Sequence, residues 1–325
     1  MDSDLSLDFL TVVEQAAIAC AKTMGQGDRH KSDQAAVETM RKCMDTVPID
    51  GTIVIGEGER DEAPMLYIGE KVGQAARGQA GLPPVDIAVD PLEGTTLCAK
   101  DMPGSIAVMA MASAGSLLNA PDVYMDKIAI GPGYPEGVVD LDASVEENLN
   151  ALARAKGVKP HELTALVLDR PRHAPIIEAI RKVGASIRVI TDGDVAGVIF
   201  TANAYETGID IYLGIGGAPE GVLAAAALRC VGGQMQGRLI LDTEAKRERA
   251  HKMGVTDPRK KYRMEELASG DVIVAATGVT DGALLQGVKF RGPVITTETV
   301  IYRSLNGTVR RIHGEHRQMS KFNLD

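Results

Sequence analysis

Tryptophan is absent from this 325-residue chain and phenylalanine occurs only four times. Its cores must therefore be built from Ala, Val, Ile, Leu and Met, while 35 glycines point to many tight turns. Cysteine is scarce too. Cys20, Cys43, Cys98 and Cys230 stand far apart, with no CxxC pair and no metal-like spacing. Settings such as Ala17-Ile-Ala-Cys20 and Leu228-Arg-Cys230-Val read as small buried hydrophobes in a reducing compartment, which excludes a disulfide scaffold. Cys98 lies just beyond the turn described below, so an effect of oxidation on activity stays open beside its packing role. No apolar run approaches the ~20 residues of a membrane span, and Met-Asp-Ser-Asp-Leu-Ser lacks the basic and apolar pattern of a leader. A cytoplasmic protein with no membrane partner is expected.

Cations are the minority charge: 35 Lys and Arg stand against 44 Asp and Glu, a formal net charge of -9. That field opposes adhesion to nucleic acid or anionic lipid. It equally opposes a polyphosphorylated ligand, so a site for one would need metal ions and locally placed Arg or Lys. With 45% hydrophobic and 24% charged residues, the chain is an ordinary globular one, long enough for two subdomains.

What is present is carboxylate at turns. The run Asp86-Ile-Ala-Val-Asp90-Pro91-Leu92-Glu93-Gly94-Thr95-Thr96 ends a strand in Asp90, turns through proline and glycine, and meets Glu93 and two hydroxyls at a helix start. Carboxylates are hard oxygen ligands suited to Mg²⁺ and Mn²⁺, and helix N-termini offer N–H groups to anions. The plainer reading is a strand–turn–helix joint in which Asp90 caps and Pro91 and Gly94 shape the turn. A second cluster adds weight to the first: Thr52-Ile-Val-Ile-Gly56-Glu57-Gly58-Glu59-Arg60-Asp61-Glu62 delivers four carboxylates in six positions after a β-branched run. Like charges so crowded repel unless a cation neutralises them.

These two segments resemble the signature of the metal-dependent, lithium-sensitive phosphatase superfamily that includes inositol monophosphatase, where Asp is usual at the place of Glu93. With Ile55-Gly-Glu-Gly-Glu59, Asp61-Glu-Ala-Pro-Met-Leu-Tyr67 and Gly214-Ile-Gly-Gly-Ala-Pro-Glu-Gly221, the chain resembles class II fructose-1,6-bisphosphatases over most of its length. The resemblance implies an α/β, α+β layered fold, an αβαβα sandwich of the sugar phosphatase type with two subdomains. It implies Asp33, Glu57, Asp90, Glu93 and Glu220 as ligands of Mg²⁺ or Mn²⁺, with Glu57, Asp90 and Thr95 in the catalytic set. Thr95 would position the water or the phosphoryl group, or act as the nucleophile, and the sequence leaves the two open. Substrate contacts would come from Glu93, Gly94, Thr95, Tyr124, Arg170, Pro171, Arg172, Asp192, Gly193, Asp194 and Gly217. The implied substrate is fructose 1,6-bisphosphate, hydrolysed at its 1-phosphate, and the implied assembly is a homo-oligomer, dimer or tetramer. Sedoheptulose 1,7-bisphosphate, inositol phosphates or a nucleotide bisphosphate remain alternative substrates, and a noncatalytic sugar-phosphate sensor is the alternative of another class.

Along the chain, apolar spacing predicts a helix over about 6–24, a break at Gly25-Gln-Gly27-Asp28, and a second helix starting at Ser32 or Asp33. Asp33 would then lie in its first turn, where a carboxylate also suits the helix dipole; Arg29 and Lys31 beside it would suit phosphate. Glu62-Ala-Pro-Met-Leu-Tyr-Ile-Gly-Glu-Lys-Val reads as another helix. Segments 105–113 and 127–131 read as antiparallel strands joined by the loop around Asn119 to Tyr124. Then Thr164–Asp169, Ser186–Thr191 and Ile209–Gly214 alternate with helical stretches, the pattern of a parallel layer whose ligands bind beyond the strands' carboxyl ends. Those ends carry Arg170-Pro171-Arg172-His173, Asp192-Gly193-Asp194 and Gly216-Gly217-Ala-Pro219-Glu220-Gly221, although each group alone could be caps and surface charge. A dinucleotide loop is excluded, since Pro219 stands where G-x-G-x-x-G needs glycine. The mixed charges of 238–270 suggest a solvated helix and loop, 271–302 returns to strands, and the last dozen residues are basic and loosely held. The subdomains are expected at 1–155 and 156–325, with the final strands able to return to the first.

Overall fold

The computed structural model describes residues 5–58 and 64–317. The chain forms two compact units, residues 1–117 together with 270–325, and residues 118–269. The divide therefore falls at 117 and 269 rather than near 155, which lies inside a helix of the second unit; long-range strand pairing, invisible to local composition, decides it. Both units are mixed sheets covered by helices, the α/β layered class expected. No described helix is long and apolar enough to cross a membrane.

The first unit begins with α1 (Leu5–Ala21) and α2 (Arg29–Met44), followed by β1 (Asp50–Ile55), the short β2 (Lys71–Val72), β3 (Pro84–Glu93), α3 (Thr95–Ala99) and β4 (Ile106–Ser113). Of the stretch 62–72 expected to be helical, 64–70 is not, Lys71 and Val72 form β2, and Glu62 and Ala63 lie outside the described residues. Pro64, Gly69 and a left-handed Leu66 (φ 54°) explain why an α-helix does not form there.

The second unit runs through β5 (Tyr124–Ile130), α4 (Val145–Lys156), β6 (Thr164–Leu168), α5 (Ala174–Val183), β7 (Ser186–Ile190), α6 (Asp194–Ile199), α7 (Ala204–Thr207), β8 (Ile211–Gly217), α8 (Ala218–Val231), β9 (Gln234–Leu239), α9 (Glu244–Lys252), β10 (Lys261–Arg263) and α10 (Met264–Leu267). The chain then returns to the first unit with β11 (Val272–Gly278), β12 (Lys289–Arg291), β13 (Val294–Arg303) and β14 (Thr308–His316). The last of these overturns the loosely held tail as far as His316, because β14 pairs with β13 along its whole length.

The first sheet has the order β12-β13-β11-β4-β3-β1-β2, with β14 on β13. Its central strands are buried residue after residue, and helices α1 and α2 pack against one of its faces. Phe9, Val12, Val13 and Ala16 of α1 and Ala36 and Met40 of α2 join Ile53, Ile87, Met109 and Met111 in one core. The second sheet has the order β10-β9-β5-β8-β6-β7, parallel across β7, β6 and β8 and antiparallel at β5. Thus β4 and β5, consecutive and expected to share a loop, are not partners but belong to different sheets. Strand alternation gives each face its helices: Ile128, Val167 and Ile211 pack with Leu149, Leu152 of α4 and Ile180 of α5. On the other face Leu166 approaches Gly197 of α6, and Met125 and Lys127 approach Gly221 of α8.

Candidate active site

Helix α2 carries Asp33, and it begins earlier than its apolar stripe suggests. Asp28 is the N-cap, its carboxylate accepting the Lys31 N–H at 3.0 Å, so Asp33 occupies the second turn instead of the first. Capping is thereby assigned to Asp28, and the half-buried Asp33 carboxylate has its pKa raised by burial, with His30 opposing.

Glu57 follows β1 by two residues. A Cβ on Gly56 would lie 1.9 Å from the Leu66 carbonyl oxygen, so glycine is what allows that carbonyl to accept the Glu57 N–H at 3.0 Å. Burial first, and the Asp33 carboxylate second, push Glu57 up to about 7. A partly buried carboxylate whose ionisation a second one opposes fits a hard divalent cation, which would favour the charged form. Glu59, Asp61 and Glu62 lie outside the described residues.

Strand β3 runs past Asp90 to Glu93. Asp90 is opposite Val108 and Glu93 opposite Ile106, so one extra residue is accommodated between them. Pro91 suits such a bulge because it has no N–H to pair. Glu93 is buried and its carbonyl accepts the Ser105 hydroxyl at 2.9 Å. Gly94 then turns in the left-handed conformation (φ 78°), and Thr95, half-buried, is the first residue of the five-residue α3. One bulge and one turn thus carry Asp90, Glu93 and Thr95. Among the described residues, no three Asp, Glu, His or Cys side chains close on one point.

In the second unit the strand ends do converge. Tyr124 opens β5 and is the register partner of Gly217, which closes β8. The Arg172 guanidinium lies 4.6 Å from the Tyr124 ring centroid and donates to the Ile215 carbonyl from Nε (3.1 Å) and Nη2 (2.7 Å). Arg170 Nη1 donates to the carbonyls of Asp169 (3.0 Å) and Thr191 (2.5 Å), and its Nη2 lies 3.8 Å from Asp192 Oδ1. Pro171 starts the turn between the two arginines, and Gly193 (φ 94°) turns the chain after Asp192. Carbonyls therefore fix the planes of both guanidinium forks at the carboxyl ends of β6, β7 and β8.

His173, which follows the arginines, is structural. Its Nδ1 meets the Leu168 carbonyl at 2.7 Å and its Nε2 accepts the Ile215 N–H at 2.8 Å, bridging β6 to β8 as a neutral ring; burial lowers its pKa accordingly. Asp194 turns inward as well. It is buried, and its carboxylate accepts from the Lys127 ammonium and the Tyr212 hydroxyl. Lys127, fully buried, also donates to the Gly217 carbonyl at 2.8 Å. Lys127 is hidden in the sequence by the apolar strand around it, and a lone lysine within an apolar run is its one signal.

Glu220 lies in the first turn of α8. Its pKa is raised, chiefly by burial, while Lys127 draws it down and Asp194 adds to the rise. The two glycines at the end of β8 serve two carboxylates. A Cβ on Gly216 would fall 1.9 Å from Asp194 Oδ2, and one on Gly217 would fall 1.8 Å from Glu220 Oε2.

A family model described as bacterial fructose-1,6-bisphosphatase, glpX-encoded, matches residues 3–316. The D-fructose 1,6-bisphosphatase class 2/sedoheptulose 1,7-bisphosphatase of Synechococcus sp. (strain JA-3-3Ab) is 47% identical over 97% of this chain and 96% of its own. The protein of the same name from Synechocystis sp. is 46% identical over 98% of both chains.

Proposed function

This chain belongs to the bacterial, glpX-encoded fructose-1,6-bisphosphatase family, and we propose that it hydrolyses the 1-phosphate of fructose 1,6-bisphosphate to give fructose 6-phosphate and phosphate. The observation that carries this reading is the family match over residues 3–316, and the raised pKa of Glu57 beside the Asp33 charge fits a hard divalent cation. The family is metal-dependent; Mg²⁺ or Mn²⁺ is our finer assignment, since the donors are carboxylates without imidazole or thiolate.

A phosphomonoester dianion repels a nucleophile, and its leaving oxygen departs as an alkoxide, so the site must supply positive charge where negative charge develops. Asp33, Glu57, Asp90 and Glu93 of the first unit would hold the ions, and Glu220 is a further carboxylate of the kind that binds them. When bound, those ions acidify water and neutralise the leaving oxygen. Thr95 offers its hydroxyl beside Glu93 and Gly94 to orient water or the phosphoryl group. If it is instead the nucleophile, a phosphothreonine accumulates during turnover; if it is not, labelled solvent oxygen enters phosphate directly in a single turnover.

The phosphate that remains on the sugar would be gripped by Arg170 and Arg172, with Tyr124 beneath Arg172, while Pro171, Gly193 and Gly217 set the backbone around it. Asp192 would accept sugar hydroxyls. Asp194, engaged by Lys127 and Tyr212, would contribute by holding the strand ends on which the others stand. We read the protein as a cytoplasmic homo-oligomer of two or four copies.

The relatives' names include sedoheptulose 1,7-bisphosphatase, which favours a second bisphosphate substrate. Phosphate release by purified protein with Mg²⁺ or Mn²⁺ decides among these readings. Release from fructose 1,6-bisphosphate, alone or shared with sedoheptulose 1,7-bisphosphate, and not from inositol monophosphate supports the assignment. No release from any of the three would leave the sugar-phosphate sensor.

A further inference from the structure

We propose that Glu70, held by Arg41, is a positioning residue that sets the Glu57 carboxylate for metal binding through the backbone of Leu66. This rests on the metal-dependent phosphatase reading above.

Leu66 is fully buried and left-handed, a backbone conformation that a leucine rarely adopts. Something must hold it there. The Glu70 carboxylate does so with Oε2, which accepts the Leu66 N–H at 2.5 Å. The other oxygen, Oε1, accepts Arg41 Nε at 2.6 Å, and Arg41 Nη1 reaches Asp45 at 2.6 Å. Arg41 lies on α2, two turns beyond Asp33.

The consequence falls on Glu57. In its left-handed conformation Leu66 presents its carbonyl to the Glu57 N–H (3.0 Å), at the close approach that Gly56 permits, and Ile68 N–H closes the other side on the Gly58 carbonyl at 3.0 Å. Glu57 is thus clamped between two backbone bonds. The clamp is also tied to β1, because the Ile53 N–H donates to the Glu70 carbonyl at 2.9 Å and Gly69 N–H to the Ile53 carbonyl at 2.8 Å. One guanidinium therefore connects the helix bearing Asp33 to the turn that fixes Glu57. The planar fork is needed, since it engages Glu70 and Asp45 together.

Asp45 supplies the control. It takes the same arginine and also the Arg77 guanidinium, yet it has no bond to Leu66 or to the 56–58 turn. Mn²⁺ binding to the metal-free protein by electron paramagnetic resonance, kcat and KM, and thermal midpoint would be measured for Glu70→Gln and Asp45→Asn. Glutamine keeps the length of Glu70 but cannot accept from both Leu66 and Arg41. Glu70→Gln is expected to weaken Mn²⁺ binding and lower kcat by about 10-fold to 100-fold with KM little changed. Asp45→Asn is expected to lower the thermal midpoint, since it weakens a partly buried ion pair, and to leave Mn²⁺ affinity and kcat within about twofold, since Asp45 does not touch the 56–58 turn. Equal effects of the two variants on Mn²⁺ affinity, or a Glu70→Gln protein that binds Mn²⁺ as the wild type does, would overturn the proposal. Failure of the wild type to release phosphate would instead overturn the enzymatic reading beneath it.

Discussion

The Asp33 carboxylate raises the pKa of Glu57, adding to burial to bring it to about 7 from an ordinary value of 4.5. Between those values the native state keeps a proton that the unfolded chain has lost, so stability without metal falls as pH rises from 4.5 to about 7 and is level above. The full effect is on the order of 3 kcal/mol. Asp33 and Glu220 shift in the same direction and reinforce it. A divalent ion needs the charged forms, so it should raise the thermal midpoint more at about pH 8 than at about pH 5.5. Equal increments at the two pH values would contradict the pairing.

Gly217 and Gly216 should respond differently to the same added methyl group. The Cβ of Gly217→Ala meets only the far end of Glu220, which can swing aside. The variant is expected to fold with a modestly lowered midpoint but to lose activity about as severely as Glu220→Gln, on the order of 100-fold. The Cβ of Gly216→Ala meets Asp194, which Lys127 and Tyr212 hold in place. Relief there means breaking a buried ion pair, so denaturant unfolding should show the larger loss of stability for Gly216→Ala. The reverse order would contradict the structure of the turn.

Lys127→Met leaves Asp194 charged and uncompensated in the interior, and should cost roughly 3–5 kcal/mol in chemical denaturation. Pairing it with Asp194→Asn removes the stranded charge and should recover much of that loss. A double variant no more stable than Lys127→Met would show that the two residues do not depend on each other.

Tyr124 meets Arg172 through its ring. Tyr124→Phe preserves the ring and should leave KM for fructose 1,6-bisphosphate within about threefold, while Tyr124→Ala should raise it about tenfold, the scale of a cation–π contact. Equal KM values for the two variants would remove the ring from substrate binding.

The parts of this architecture that were legible beforehand are those fixed by neighbours in sequence. The runs at 164–169, 186–191 and 209–214 become β6, β7 and β8 because local propensity favours strands there, with burial adding to it in β6 and β8 while β7 is largely exposed. Glu62 to Val72 misled because its composition suits a helix, whereas the described part is bent by a left-handed Leu66 whose support, Arg41, comes from another element. Asp33 was placed a turn too early because Asp28 and Ser32 compete as caps, and only the Asp28 bond to Lys31 decides between them. β4 pairs with the preceding β3 and the remote β11, and β5 with the remote β8 and β9, so two strands adjacent in sequence looked like one hairpin. The C-terminal strand hid its identity through exposed Arg310 and Arg311 on an outer position of the sheet. Of the candidate site residues, Asp194 has inward partners that come from other strands, Lys127 of β5 and Tyr212 of β8, which its own neighbourhood in sequence does not reveal.

The most direct test of the central claim is phosphate release from fructose 1,6-bisphosphate by the wild type and by Glu57→Gln, in Mg²⁺ or Mn²⁺, with folding checked by circular dichroism. The account expects rapid release by the wild type and, with the fold retained, a loss of at least about 100-fold in kcat for the variant. Near-normal turnover by a folded Glu57→Gln protein would contradict it.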